Sequence, residues 1–298
     1  MQIIGLNLGL KGNGVSGSSG DPAALFGDNG TFDDNVADWS GTRSGFVSHV
    51  ATDGGRMRVE STSGVQFGSS TRGFDTVEGH VYIVSGELKA TSGAFGYMSL
   101  GTNATDHQVG EVKRIFESAT ATSGTYYFIG DGTTFYVHCF AGIADGNWAE
   151  FDNITVTDQG FNLISAGNYG RFTTDVDGWV PSLGTAVLES SAIKVTQVGT
   201  TAFGKAYAEF DTVIGNTYYC QGRSIAFNTA NNYFIIGKTT TDFAPEYVRV
   251  MNNVGVVGDY GATFVATQDK AYFYVMPGGN NGNVLFADNI LATDLGVV

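Results

Sequence analysis

The chain has 298 residues, and a content of 42% hydrophobic and 13% aromatic residues lets it bury one or two substantial cores. Its net charge of −14, with no Lys/Arg cluster, sets it against phosphate backbones and anionic membrane surfaces, and no apolar run approaches the roughly 18 residues of a membrane span. Only 15% of residues are charged, while 43 are Gly and 4 are Pro, a mix that suits short strands and tight turns rather than long helices.

In chain order, residues 1–24 form a Gly-rich arm that opens MQIIGLNLGLKGNG. It lacks a basic leading region, Gly5 and Gly9 break its apolar stretch, and no small-residue cleavage site follows. It does not read as a secretion signal, so the protein is expected to be made and kept in the cytoplasm or released by lysis. Ile3, Ile4, Leu6, Leu8 and Leu10 would supply apolar anchors to a partner subunit, folding back on the chain's own domain being the alternative.

Strand patterns fill the remainder. Candidates are Arg56–Glu60, the segment after Tyr82, Val112–Phe116, Thr125–Ile129, Phe135–Phe140 and Ala149–Thr157. From Tyr82, the residues Tyr82, Val84, Gly86, Leu88 and Ala90 share one face and Ile83, Ser85, Glu87 and Lys89 the other, the period of a half-buried strand. The segment HQVGEVKRIFES (107–118) is the candidate for a short helix. Further strands are expected at Ile193–Gln197, Val248–Asn252, Ala262–Ala266, Ala271–Met276 and Val284–Ala292, with turns at DGG, DGTT, NTANN and PGGNNGN.

The second set echoes the first. FDTVEGHVYIVSGELKA (74–90) returns as FDTVIGNTYYCQGRSIA (210–226), 136 positions later, and Asp152-Asn153-Ile154 returns as Asp288-Asn289-Ile290. FDDNVADW (32–39) returns 140 positions later as FTTDVDGW (172–179), one loop differing by four residues. The expectation is a duplicated all-β unit: a β-sandwich over 25–159 and a second over 160–298.

NGTFDDNVADWSG (29–41), FDTVEGHVYIVSGELKAT (74–91), TYYFIGDGTTFYVHC (125–139) and FDNITVTD (151–158) together resemble the CenC-like carbohydrate-binding modules of families 4 and 9. The second copy keeps the order with YGRFTTDVDGW, EFDTVIGNTYYCQG and FADNILATD, departing at Phe286-Ala287-Asp288. The resemblance implies two tandem jelly-roll domains and a possible glycan ligand. It also implies a structural calcium site at Asp152 and Asp288 with carbonyls near Asn29, the alternative being that each Asp bonds backbone amides. The leader IGLNLGL…GSSGDPAALFGDNGTF is similar to the start of tailed-bacteriophage structural proteins. That implies a virion component, a capsid decoration, head fibre or tail appendage, anchored to other virion proteins by its arm and homo-oligomeric.

Trp39 and Trp179 are matched between copies and read as core. Trp148 has Val284 as its counterpart; a sugar-stacking ring, a core or rim residue and a subunit contact all remain open for it. Tyr126, Tyr127 and Tyr136 read as core or cross-strand pairs. Cys139 and Cys220 stand where the other copy has Val275 and Val84, which points to reduced, space-filling thiols. His49, His80, His107 and His138 show no metal-ligand spacing and read as lone surface residues. DVDG (175–178) lacks the later ligands of a calcium loop, and no catalytic or phosphate-binding motif appears. A non-enzymatic protein with no cofactor is expected.

Overall fold

The computed structural model describes residues 23–26, 30–33, 35–51, 54–93, 95–106, 110–199, 203–229, 231–240 and 246–297. The anchors Ile3, Ile4, Leu6, Leu8 and Leu10 lie outside the described residues, as do His107 and the carbonyls around Asn29. In the first copy the strands are β1 (Ala23–Ala24), β2 (Ser40–Thr42), β3 (Gly45–Val50), β4 (Arg56–Ser61), β5 (Ser69–Asp75), β6 (His80–Thr91), β7 (Gly96–Gly101), β8 (Glu111–Ser118), β9 (Thr122–Ile129), β10 (Thr134–Phe140) and β11 (Trp148–Phe161). In the second they are β12 (Val180–Ser182), β13 (Gly184–Glu189), β14 (Ala192–Gln197), β15 (Lys205–Asp211), β16 (Thr217–Phe227), β17 (Asn232–Gly237), β18 (Glu246–Val254), β19 (Gly258–Val265), β20 (Lys270–Met276) and β21 (Val284–Gly296).

Sheet I runs β3-β4-β11-β6-β9, with β1 also on β11, and sheet II runs β2-β5-β10-β7-β8. Sheet III, β12-β15-β20-β17-β18, repeats the order of sheet II, and sheet IV, β13-β14-β21-β16-β19, repeats that of sheet I. The chain is therefore all-β, two tandem β-sandwiches in which the strands pass back and forth between facing sheets. The helical element among the described residues is Ala166–Gly170, and Gly167, Asn168 and Tyr169 within it are left-handed. Of the two readings of this segment, the strand expected at Val112–Phe116 is found, as β8 from Glu111 to Ser118, and the short-helix alternative over 107–118 is not. Pairing with the open side of β7 satisfies the β8 backbone, and Arg114 lies over the Tyr97 ring, its guanidinium carbon 4.6 Å from the centroid.

Each sandwich has its own core. Met57, Val59, Val84, Leu88, Met98 and Phe151 are among the buried residues of the first, and Ile193, Val195, Cys220, Phe234, Phe273 and Leu285 of the second. Trp39 and Trp179 lie in these cores, as matched tryptophans would, and both cysteines are free thiols with no exposure. Gly86 and Gly222 recur because a Cβ at either would stand within 2.9 Å of the facing sheet, against Met98 Sδ or the Phe234 ring.

The echoed phrase encodes a polar lock. Val77 N donates to Tyr82 Oη at 2.8 Å, and that hydroxyl donates to Asp158 Oδ2 at 3.1 Å. In the second copy Val213 N donates to Tyr218 Oη at 2.7 Å, and Tyr218 Oη to Asp294 Oδ2 at 3.1 Å. Thr76 and Thr212 bind the carbonyls of Thr133 and Gln268 through their hydroxyls. The lock thus ties the start of each long strand to the end of the return strand, which is why Phe-Asp-Thr-Val, the tyrosine and the closing Thr-Asp are retained together.

The closing Asp-Asn pair makes a β-bulge. Asn153 and Asn289 adopt φ of 50° and 49°, and the register of β11 against β6 and of β21 against β16 shifts there. Asn tolerates this left-handed backbone better than most residues, and Asp152 Oδ1 accepts the Asn153 N–H at 2.8 Å.

The sandwiches also touch. The Tyr127 and Tyr219 rings stack at 3.8 Å, Val81, Ile129 and Leu291 pack around them, and Lys113 Nζ reaches Asp259 Oδ2 at 2.7 Å. Asn162, nearly fully buried after β11, donates to the carbonyls of Tyr169 and Ile290 and accepts from Ile164 N and Ala292 N.

Candidate binding faces

Alternation along a strand sends one side chain to the core and the next outward. In β10 the inward set is Phe135, Val137 and Cys139; in β20 it is Ala271, Phe273 and Val275. The outward set is Tyr136, His138 and Phe140 in β10, and Tyr272, Tyr274 and Met276 in β20. Antiparallel register extends these into rows. The central row of sheet II is Ser40–Thr71–His138–Ser99–Arg114. Its counterpart in sheet III is Val180–Tyr207–Tyr274–Ile235–Arg249. One row on, Gly73 and Tyr136 become Glu209 and Tyr272, 136 positions later. One scaffold therefore carries two different outer faces.

The sheet III face is aromatic. Ile235, Tyr272, Tyr274 and Met276 form a cluster separate from the core, with Tyr207 and Tyr233 packed against it half-buried. Phe203 stands edge-on to Tyr233 at 5.8 Å, and Lys205 Nζ lies 5.0 Å from the Tyr274 ring centroid. The Tyr274 hydroxyl donates to the Thr239 carbonyl. At one end Glu209 pairs with Lys270, whose ammonium also lies 3.6 Å from Asp211. The hydrogen bond from Lys270 draws the Glu209 carboxyl below its ordinary range. The face offers flat apolar surface, phenolic hydroxyls and a charged end.

The sheet II face is smaller and more polar. Tyr97 stacks on Phe140 at 4.1 Å, with Phe67 and Phe95 beyond it. His138 is 1% exposed and donates from Nε2 to the Asn103 carbonyl at 2.9 Å, which leaves Nδ1 as an acceptor. Burial lowers its pKa to about 4, so the ring is neutral at pH 7. This corrects the expectation of a surface histidine: the period-two position is outward, but the segment after β7 covers it. His80 is also engaged, its Nδ1 3.0 Å from Asp158. Thr71 Oγ1 and Ser99 Oγ are buried beside His138 with no hydrogen-bond partner among the described residues.

The residues singled out in the sequence lie elsewhere. Trp148 is on the outer face of sheet I, opposite Glu60, with the Arg58 guanidinium 4.4 Å from its ring; Glu60 in turn faces the exposed Phe46. Asp152 and Asp288 occupy the two bulges. Lys89 Nζ stands 3.5 Å from Asp152 Oδ2. Asp288 is paired in register with Arg223, its Oδ1 has no hydrogen-bond partner among the described residues, and burial raises its pKa to about 6. An ammonium at one carboxylate and an arginine opposite the other do not fit a divalent cation, and no cluster of three metal-ligating side chains occurs among the described residues. Sequence reading did not single out Thr71, Ser99, Tyr207, Tyr233 and Tyr274. The available signal was the run Ala271–Met276, apolar on both faces of its strand, which marks a sheet covered on its outer side as well.

No family model matches the sequence, and no curated protein does. Among solved structures, the chain is similar to the CBM22-1–CBM22-2 tandem domain of Paenibacillus barcinonensis Xyn10C, at 10% identity over 93% of this chain and 99% of that one, with a TM-score of 0.39. It is similar to a CBM4 module at 15% identity over 44% of this chain and 98% of that one, TM-score 0.33. It is similar also to the enzymatically active domain of tailspike protein 4 of bacteriophage CBA120, at 13% identity over 44% of this chain and 21% of that one, TM-score 0.33. All three are likenesses of outline.

Proposed function

We propose that this chain is a non-enzymatic, tandem glycan-binding protein whose recognition surfaces are the outer faces of sheets II and III. The observation that carries the reading is the tyrosine set of sheet III. Half-buried Tyr207 and Tyr233 present ring surface and hydroxyls on one sheet, packed against buried Tyr272 and Tyr274. A pyranose has the complementary form, an apolar C–H face edged by hydroxyls. Sheet II buries Thr71, Ser99 and His138 under the segment after β7, so a sugar there would meet the open ends of the row, Ser40 and Arg114. Two weak sites on one chain, multiplied by oligomerisation, would give useful avidity.

The test is a glycan array followed by calorimetric titration of the best ligand. Tyr207→Ala and Tyr233→Ala should each raise Kd about tenfold, ~1.4 kcal/mol, while the fold is kept. Trp148→Ala tests the sheet I face separately. Absence of array binding, or titrations unchanged by the tyrosine substitutions, would overturn the reading. The proposal includes display on a virion, with residues 1–24 as the attachment to other particle proteins; apolar Ile3, Ile4, Leu6, Leu8 and Leu10 support it. Deleting residues 1–24 should abolish incorporation into particles, and unchanged incorporation removes this part alone.

A further inference from the structure

Strands β3 and β13 are equivalent edges of sheets I and IV, aligned by their neighbours: His49 pairs with Met57, and Leu188 with Ile193, 136 positions after Met57. In the first sandwich this edge is polar and fastened to its own domain. His49 Nε2 donates to the Phe32 carbonyl at 2.8 Å, and Arg43, in the β2–β3 connection, pairs with Asp106 at 2.6 Å. Phe46 is its exposed apolar residue. In the second sandwich Ser40 is replaced by Val180, Arg43-Ser44 by the single Leu183, Ser48 by Val187 and His49 by Leu188. These four are 46%, 57%, 45% and 38% exposed.

Leu188 belongs to the inward row of Ile193 and Ala287, so the core of the second sandwich reaches this edge and is left partly uncovered. An edge strand also presents a row of backbone donors and acceptors to any added strand. Natural edges are commonly blunted by charge, as β8 is by Glu111, Lys113, Arg114 and Glu117. The charged residue of β13 is its last, Glu189, and Lys194 pairs with it at 2.8 Å.

The chain itself holds a segment of the complementary form. The 22 residues before β1 span about 70 Å when extended. Within them Ile4, Leu6, Leu8 and Leu10 recur at period two, separated by Gly5, Asn7 and Gly9, and no charge occurs before Lys11. As a strand, this segment has one wholly apolar face, and over residues 5–9 its other face is slender, Gly5, Asn7 and Gly9, with Ile3 at its end. The apolar face matches the half-covered inward row of Ala186 and Leu188; the slender face fits beside Val187. The leader enters at β1, on the first sandwich, whereas the open edge belongs to the second.

We propose that residues 3–10 of a neighbouring copy add to β13 as a sixth strand of sheet IV, joining copies head to tail. The inference stands apart from the glycan reading and competes with attachment of the arm to other particle proteins, because residues 3–10 of one copy cannot fill both sites at once. It is tested in the full chain by paired cysteines, with buried Cys139 and Cys220 left in place. Val187→Cys is combined in turn with Gly5→Cys, Asn7→Cys or Gly9→Cys and oxidised with copper phenanthroline. At least one pair should give a ladder of disulfide-linked chains on a non-reducing gel. Leu8→Cys with Val187→Cys, which points to opposite faces, and Asn7→Cys with Ser48→Cys, on the first sandwich's edge, should link at least about tenfold more slowly, because register by parity is strict. Equal rates, links confined within one chain, or Val187→Cys dimerising alone through edge-to-edge pairing would each overturn the proposal. A second measurement is mass in solution: Val187→Lys with Leu183→Glu, both at exposed positions, should dissociate the oligomer, and an unchanged mass refutes it.

Discussion

Replacing Tyr218 by Phe removes a single oxygen from the lock of the second sandwich. The ring is 1% exposed and keeps its packing. Two hydrogen bonds disappear: the one accepted from Val213 N at 2.7 Å and the one donated to Asp294 at 3.1 Å. Val213 is itself 59% exposed, so its N–H regains some water, and that loss falls near 1 kcal/mol. The bond to the carboxylate is of the stronger class, although Asp294 stays held by Asn216 Nδ2 at 2.8 Å and Gly296 N at 2.7 Å, so about 1–2 kcal/mol more is lost. A destabilisation of about 2–3 kcal/mol lowers the melting temperature of a domain this size by roughly 6–12 °C. Differential scanning calorimetry would show the second sandwich's transition falling by that amount. Tyr82→Phe should do the same to the first sandwich, whose lock has matching distances. A shift under about 2 °C in both variants would show that the echoed phrase is not held together by this bond.

Asp288→Asn should stabilise the protein at pH 7.5 by up to about 3 kcal/mol, because burial lifts the native carboxyl to about 6 from about 4 unfolded and its charged form therefore costs the folded state. Protonation relieves that cost as pH falls through 6, so denaturation curves of variant and parent should converge by about pH 4; a gap independent of pH would contradict the assignment. Tyr219→Ala should uncouple the sandwiches by removing the stack on Tyr127, about 1 kcal/mol beyond area burial, and calorimetry should resolve two transitions more widely separated than in the parent.

The duplication and the all-strand character were legible because both rest on local signals. Tyr82 to Ala90 alternates cleanly, and its echo 136 positions later needed no structure to be seen. The short strands β2, β5, β7, β12 and β15 were not legible: Ser69–Asp75 and Gly96–Gly101 carry little alternation, and pairing on both sides makes them strands. The same reason hid the outer faces. His138 reads as a surface residue until the segment bearing Asn103 is placed over it, and nothing local sets Tyr274 apart until Phe273 and Val275 are seen to fill the core. The Asp-Asn phrase, by contrast, was legible as a motif while its cause, a left-handed residue at a bulge, required the backbone.

The two copies act as mutual controls on which residues serve the fold. The lock, the bulge and the close-approach glycines are kept in both, so they belong to the sandwich itself. The outer rows are not kept: Thr71, His138 and Ser99 become Tyr207, Tyr274 and Ile235, and Gly73 becomes Glu209. Filling a face requires volume alone, and phenylalanine or leucine would supply it without cost. A buried hydroxyl must be paired or it destabilises the folded state. Sheet III nonetheless carries four tyrosines on one face. Tyr274 spends its hydroxyl on the Thr239 carbonyl and Tyr272 is hydrogen-bonded to Glu209, whereas Tyr207 and Tyr233 remain half-buried at the open side. Packing accounts for the first pair. For the second, the rings answer to the apolar cluster beneath them, and the hydroxyls answer to whatever approaches from solvent.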